Sequence, residues 1–200
     1  EPELVGALVS AARSCAVSMQ ALSLSAWCEA LRIWEGLESV LVGLVVNGRS
    51  EHLTDPLSAV GLFWNIVPVI SRSASSLLSQ ATAIQNDLLE IEPYSAFPLP
   101  KILGDRTAED FLFSVFRYLN FWNTRELPGS SGLELLDLHA YDRYPFPMIC
   151  SVSVNSLTGG GFIQLEYDPR RVAASRARAV SECFYSLLHK IASSPEGVTH

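Results

Sequence analysis

Lysine stands at only two positions, Lys101 and Lys190, and neither sits in a G-x-x-x-x-G-K-[ST] frame. No phosphate-cradling loop of that type is therefore encoded. G-x-G-x-x-G is also missing. Positive charge is scarce as a whole: 14 Lys+Arg stand against 21 Asp+Glu, a net charge of -7. A nucleic-acid surface needs cations that displace counterions from phosphates, so nucleic acid is not an expected partner. The one basic cluster, Arg170, Arg171, Arg176 and Arg178, reads as a solvated face at the start of a helix. The four cysteines, Cys15, Cys28, Cys150 and Cys183, lie far apart in apolar contexts, with no C-x-x-C. Metal ligation or a disulfide framework needs clustering or an oxidising setting, so they read as buried free thiols. Long uncharged apolar runs are lacking too. Arg13, Glu29, Arg32 and Glu35 interrupt the apolar N-terminal region, leaving no stretch of roughly 18 residues that would cross a bilayer. No basic start leads into an apolar run and a small-residue cleavage site. The expectation is a cytoplasmic protein without a membrane partner.

What the chain does hold is apolar surface. Hydrophobic residues make up 48% and charged residues 18%, the first at the top of the usual range and the second below it. Mean hydropathy is +0.23. Two explanations stand open: an apolar face that meets a partner lobe or subunit, or a rich core. The 200 residues fit one sizeable domain or one large lobe.

Pro2 opens a first helix, with Leu4, Val5, Leu8, Val9 and Ala12 on one face. A second, about Ser18 to Trp34, is apolar on most sides and is expected to be buried. Val40 to Val46, ending at Asn47-Gly48, reads as an interior strand. Val60 to Ile70 is a second apolar run, and Pro68 makes it an edge, a bulge or a strand end. Ser73 to Glu90 is an amphipathic helix with Leu77, Ala81, Ile84 and Leu88 as its stripe. Glu92 to Asp110 reads as a long surface loop. Phe111 to Trp122 looks like a strand, and Asn123 to Gly132 like a second loop. Met148 to Val154 alternates with period two, a half-buried strand, and returns through the Ser156–Gly161 turn to Ile163, Leu165 and Tyr167. Asp168-Pro169 starts a last helix with Val180, Phe184, Leu187, Leu188 and Ile191 as its core stripe. Helices on a mixed sheet, an α/β (α+β) architecture, follow from this order.

Catalytic constellations are sparse. Gly129-Ser130-Ser131-Gly132 is one residue short of G-x-S-x-G and lacks a preceding buried strand. His52, His139, His189 and His200 form no H-E-x-x-H. His139 and Asp142 stand three apart, a spacing that suits a carboxylate-oriented base, but a lone histidine near one aspartate is common on surfaces and the pair reads as a surface feature. His189, near a helix end, interacts favourably with the helix dipole. Asn65 is the most informative polar residue, because nearly all its neighbours are apolar. A buried amide without partners costs about 1–3 kcal/mol. Asn65 therefore either satisfies backbone groups near Pro68 or points into a channel and binds a polar group of a ligand.

One stretch resembles a known family. A strand ending in Asn47-Gly48-Arg49-Ser50 is followed, after a polar loop, by Val60-Gly61-Leu62-Phe63-Trp64-Asn65-Ile66-Val67-Pro68. This is similar to the Gly-Arg pair and the [IV]-G-x-F-x-N-T segment in the second half of nonribosomal peptide synthetase condensation domains. Phe146-Pro147 before the hairpin and Tyr167-Asp168 before the last helix agree in order. The sequence departs at Ile66, where the family commonly has Thr, at Ile70, where it often has Arg, and across Glu92–Leu99. The resemblance implies one lobe of a chloramphenicol acetyltransferase-like two-lobed fold, with residues 1–200 as the C-terminal lobe. The family's catalytic H-H-x-x-x-D-G sits in the N-terminal lobe and is not in this sequence. No catalytic residue is thus expected here. Arg49, Gly61, Phe63 and Asn65 would face the inter-lobe channel, with His52 near its mouth. No cofactor would bind directly, because carrier proteins deliver the phosphopantetheine arm. The implied partners are the N-terminal lobe and peptidyl or acyl carrier proteins. Two further functions keep the fold: half of an acyl-coenzyme A-dependent acyltransferase, or a non-catalytic module that docks carrier proteins or scaffolds an assembly.

Overall fold

A computed structural model describes residues 2–49, 55, 58, 60–119, 145–154 and 161–194. The expectations for His52, His139, Asp142, Gly129–Gly132, Asn123–Gly132 and most of the Ser156–Gly161 turn lie outside them. The elements run α1 (Pro2–Ser14), α2 (Met19–Glu35), β1 (Ser39–Asn47), β2 (Trp64–Arg72), α3 (Leu77–Ile91), a 3-10 turn (Glu92–Tyr94), α4 (Leu99–Leu103), α5 (Ala108–Phe111), β3 (Ser114–Leu119), β4 (Met148–Val154), β5 (Gly161–Tyr167) and α6 (Ala174–Ser193).

The five strands form one mixed sheet in the order β2-β1-β3-β4-β5. β1, β3 and β4 are parallel, while β2 and β5 close the two sides antiparallel. The continuous β-branched run of β1 lies inside the sheet, and Pro68 lies on an edge strand, opposite Gly43. An edge tolerates a residue that cannot donate to a ladder.

The even-numbered side chains of β1 and the odd-numbered side chains of β2 pack under α2 and α3 in the main core: Val40, Val42, Leu44, Val67 and Val69. α2 runs through this core, and every residue from Ala21 to Leu31 is buried. Ser18 caps its start, accepting from the Ala21 N–H at 3.0 Å. Gly36 ends it in the left-handed conformation at φ 63°, which glycine adopts without strain. The Trp27 ring meets Phe184 of α6 edge-on at 5.3 Å, and its indole N–H donates to Ser114 Oγ at 3.0 Å. Among the described residues no single helix is long and apolar enough to cross a membrane. α1 and α2 pass such a test only together, with a 106° bend between them.

The second face carries a smaller core of Leu99, Leu103, Leu112, Val115, Phe146 and Ile149. Here the structure corrects the sequence reading. Glu92 to Asp110 is not a plain surface loop, for α4 and α5 pin it down through Leu99 and Leu103. Phe111 ends α5 rather than starting β3. β2 begins at Trp64, so Val60–Phe63 stand outside the strand. α3 begins at Leu77, behind a capping box of Ser76 and Ser79. β4 is buried almost throughout, Ser151 included, because Met148, Cys150 and Val152 face the helix-covered core while Ile149 packs in the smaller core and Ser151 lies under Arg117. α6 starts at Ala174, not at Asp168. Asp168 instead caps its own turn, accepting from the Arg170 N–H at 3.0 Å.

Candidate functional site

Because β1, β3 and β4 are parallel, their carboxyl ends share one end of the sheet. At that end of β1 the four predicted residues cluster. Asn47 Oδ1 accepts from the Arg49 N–H at 3.2 Å, and the Gly48 N–H donates to the Phe63 carbonyl at 2.6 Å. This holds the Phe63 backbone against β1 and sets the Arg49 guanidinium over the Phe63 ring, 4.2 Å from its centroid. Such a stack contributes about 0.5–1 kcal/mol at an exposed site. A Cβ at Gly61 would stand 3.2 Å from the same ring. Arg49, Gly61 and Phe63 are therefore one contact group. Asn65 follows two residues later on β2, half-buried, and its Nδ2 donates to the carbonyls of Ser95 (2.8 Å) and Phe97 (2.6 Å).

Two cavities meet here. A cleft of ≈ 830 Å³ opens between the end of β1, the start of α2, the end of α3 and the 3-10 turn. Its apolar part includes Val46, Leu88 and Ile91, and its polar part includes Gln20, Asn47, Gln85 and Tyr118. Gln85 also ties α3 to α2, its Oε1 accepting from the Ser18 N–H at 2.9 Å. Burial pushes the Tyr118 phenol up, so at neutral pH it remains a neutral hydroxyl able to donate and accept. Neither histidine nor cysteine is among the described lining residues. The cleft can hold a chain that carries amides and apolar groups together. On the other face a ≈ 120 Å³ pocket is lined by Val45, Trp64, Asn65, Ile66, Val115 and Arg117, among others.

Arg117 was not anticipated. It donates through Nε to Ser151 Oγ at 2.9 Å and through Nη2 to Glu166 Oε2 at 2.6 Å, joining β3, β4 and β5. Its one sequence signal is a lone cation in the apolar run Phe113–Leu119, since a buried charge needs a partner. The basic cluster is only partly a solvated face. Arg170 pairs with Asp168, Arg171 donates to the Pro145 carbonyl at 3.1 Å, and Arg176 pairs with Glu35 of α2, while Arg178 is exposed. All four cysteines are free; Cys28 and Cys150 are buried, and Cys15 and Cys183 only partly so. His189 is exposed on α6 and does not line the cleft.

The condensation domain family model matches residues 1–198. The chain is 34% identical over 123 residues to a plipastatin synthase polypeptide of Bacillus subtilis (strain 168), covering 60% of this chain and 5% of that protein. It is 24% identical over 193 residues to a linear gramicidin synthase polypeptide of Brevibacillus parabrevis, covering 93% of this chain and 4% of that protein. The fold matches the condensation domain from Monacolin K polyketide synthase MokA at a TM-score of 0.82 and 20% identity, over 98% of this chain and 46% of that one. It matches the first condensation domain of the CDA synthetase at 0.76 and 14% identity, over 98% and 44%. The chain thus spans a small part of its curated relatives and just under half of these solved domains. Its mixed sheet flanked by helices is the fold of those domains, and the chain belongs to the condensation domain family.

Proposed function

We propose that residues 1–200 are the C-terminal lobe of a condensation domain in a nonribosomal peptide synthetase. Together with an N-terminal lobe they join a carrier-bound acyl or aminoacyl thioester to a carrier-bound amine. In that step the amine nitrogen attacks the thioester carbonyl, the C–N bond forms, the C–S bond breaks, and the donor carrier's pantetheine leaves as a thiol. The catalytic histidine would come from the other lobe. This chain would supply a channel wall, with Arg49, Gly61, Phe63 and Asn65 beside it, and part of the surface on which carriers dock.

The observation that carries this reading is the coverage: 98% of this chain superposes on only 46% of a solved condensation domain. Apolar exposure at the channel-side segment supports it, since Val60 is 101% and Leu62 92% exposed, as expected of residues that a missing neighbour covers.

The test is co-expression with a lobe bearing H-H-x-x-x-D-G, native mass spectrometry, and an assay of amide formation between two loaded carrier proteins. A one-to-one complex that forms the amide is the expected result. No association, or transfer by this chain alone, would overturn the proposal.

A further inference from the structure

Asn65 stands at the seam of the two cavities. It lines the smaller pocket, and the carbonyl it binds on Ser95 belongs to a residue lining the larger cleft. A side-chain amide nitrogen carries two protons, and the Ser95 and Phe97 carbonyls accept from it at 2.8 and 2.6 Å. No proton of Nδ2 is left for a ligand. Among the described residues the segment it holds has few other ties, with Lys101 Nζ 5.9 Å from the Phe97 ring centroid. Its described backbone bonds are internal, Ser95 N–H to the Glu92 carbonyl and Phe97 N–H to the Tyr94 carbonyl. Tyr94 and Phe97 face solvent. Yet Glu92, Pro93, Ser95 and Ala96 form one wall of the cleft. Across that wall the segment packs on Gly48: a Cβ there would stand in ordinary contact with Ser95 O and Ala96 Cα at 3.7 Å, and tight only against the Phe63 carbonyl at 3.1 Å.

From this geometry we infer that Asn65 is a positioning residue that clamps the Ser95–Phe97 backbone and so sets the width of the substrate cleft, without touching substrate through its amide nitrogen. The functional half of this rests on the cleft being part of the condensation channel.

Asn65→Asp keeps the size, removes both donors and turns a carboxylate toward two carbonyls. Asn65→Gln keeps both donors on a stem one methylene longer. Hydrogen exchange on the 200-residue chain should show Ser95–Phe97 opening about tenfold more readily in N65D, with α2 and β1 as protected as in the wild type and N65Q in between. In the domain reassembled with its histidine-bearing lobe, with aminoacyl N-acetylcysteamine thioesters as probes, N65D should raise KM about tenfold and lower kcat by a smaller factor. Unchanged exchange at Ser95–Phe97 overturns the clamp. A roughly hundredfold fall in kcat with KM unchanged overturns the positioning role and makes Asn65 a group that acts on the reacting atoms. An inactive wild-type reassembly counts against the condensation reading instead, and the exchange data still decide the clamp.

Discussion

Cys28 shows how far one side chain's surroundings govern its chemistry. It is wholly buried on α2, and burial pushes its thiol up to about 12; the nearby Glu29 charge adds to this, while a hydrogen bond from Ser71 opposes it. Burial also drives Cys150 well upward. Thiolates are the reactive form, so a colourless-to-yellow disulfide reagent at about pH 8 should label Cys28 and Cys150 only after denaturation. Rapid labelling of either in the native chain would contradict their burial. The sign of the linkage follows from the raised folded value. The contribution of Cys28 to stability is complete below the unfolded thiol value of about 8.5 and is lost as pH rises through about 12. Asp168 works in the opposite direction. The Arg170 guanidinium and backbone N–H hold its carboxyl at about 2. Its contribution is present above the unfolded value of about 3.9 and is lost as pH falls through about 2. NMR titration should place its midpoint near 2, and Arg170→Ala should return it toward 3.8.

Among the elements, the strut from Arg117 across Ser151 to Glu166 ties three strands on the less covered face of the sheet. Glu166→Gln keeps the shape and removes the charge opposite a buried guanidinium. Removing one partner of a fully buried pair costs about 3–5 kcal/mol. Glu166 keeps 33% of its side-chain surface in water, so a loss of about 1–3 kcal/mol is expected in denaturant unfolding. No measurable loss would show that solvent replaces the pair. Gly43 marks a close approach nearby: a Cβ there would lie 2.7 Å from Leu112 Cδ1 and 2.8 Å from Ile66 Cγ2. Gly43→Ala should therefore destabilise by about 1–3 kcal/mol, the usual cost of overpacking, read from the same unfolding curves. These elements also show what local pattern can carry. α2, β1, the edge position of β2 and the β4–β5 hairpin were legible because periodicity and Pro68 are local signals. α4 and α5 were not, because five and four residues are too few to show a helical period, and the contacts that hold them lie on distant strands. Ser151 looked solvent-facing because its partner, Arg117, comes from another strand. Gly61, Phe63, Arg49 and Asn65 were legible as a group, but no sequence pattern tells that the Asn65 amide faces the Ser95 and Phe97 carbonyls.

At the scale of the whole molecule, apolar content is shared unevenly between a full core and an uncovered strip. The helix-covered face is closed, with Trp27 and Leu24 fully buried. The approach to β2 is open: Val60, Leu62 and Trp64 all face solvent. The rich core accounts for much of the high hydropathy, and the exposed strip is what a partner lobe would cover. Covering a leucine or valine contributes about 1.5–3 kcal/mol when burial is complete, and each step of about 1.4 kcal/mol is a factor of ten in affinity. Leu62→Asp should therefore weaken association with the histidine-bearing lobe by about tenfold or more. Outside any described element, the same change should leave the unfolding midpoint of the isolated chain nearly unchanged and reduce its tendency to self-associate. Titration calorimetry with the partner lobe reads the first effect and analytical ultracentrifugation the second. If affinity holds while self-association falls, the strip is solvent-facing in the assembled domain, and the lobe contact lies elsewhere on this chain.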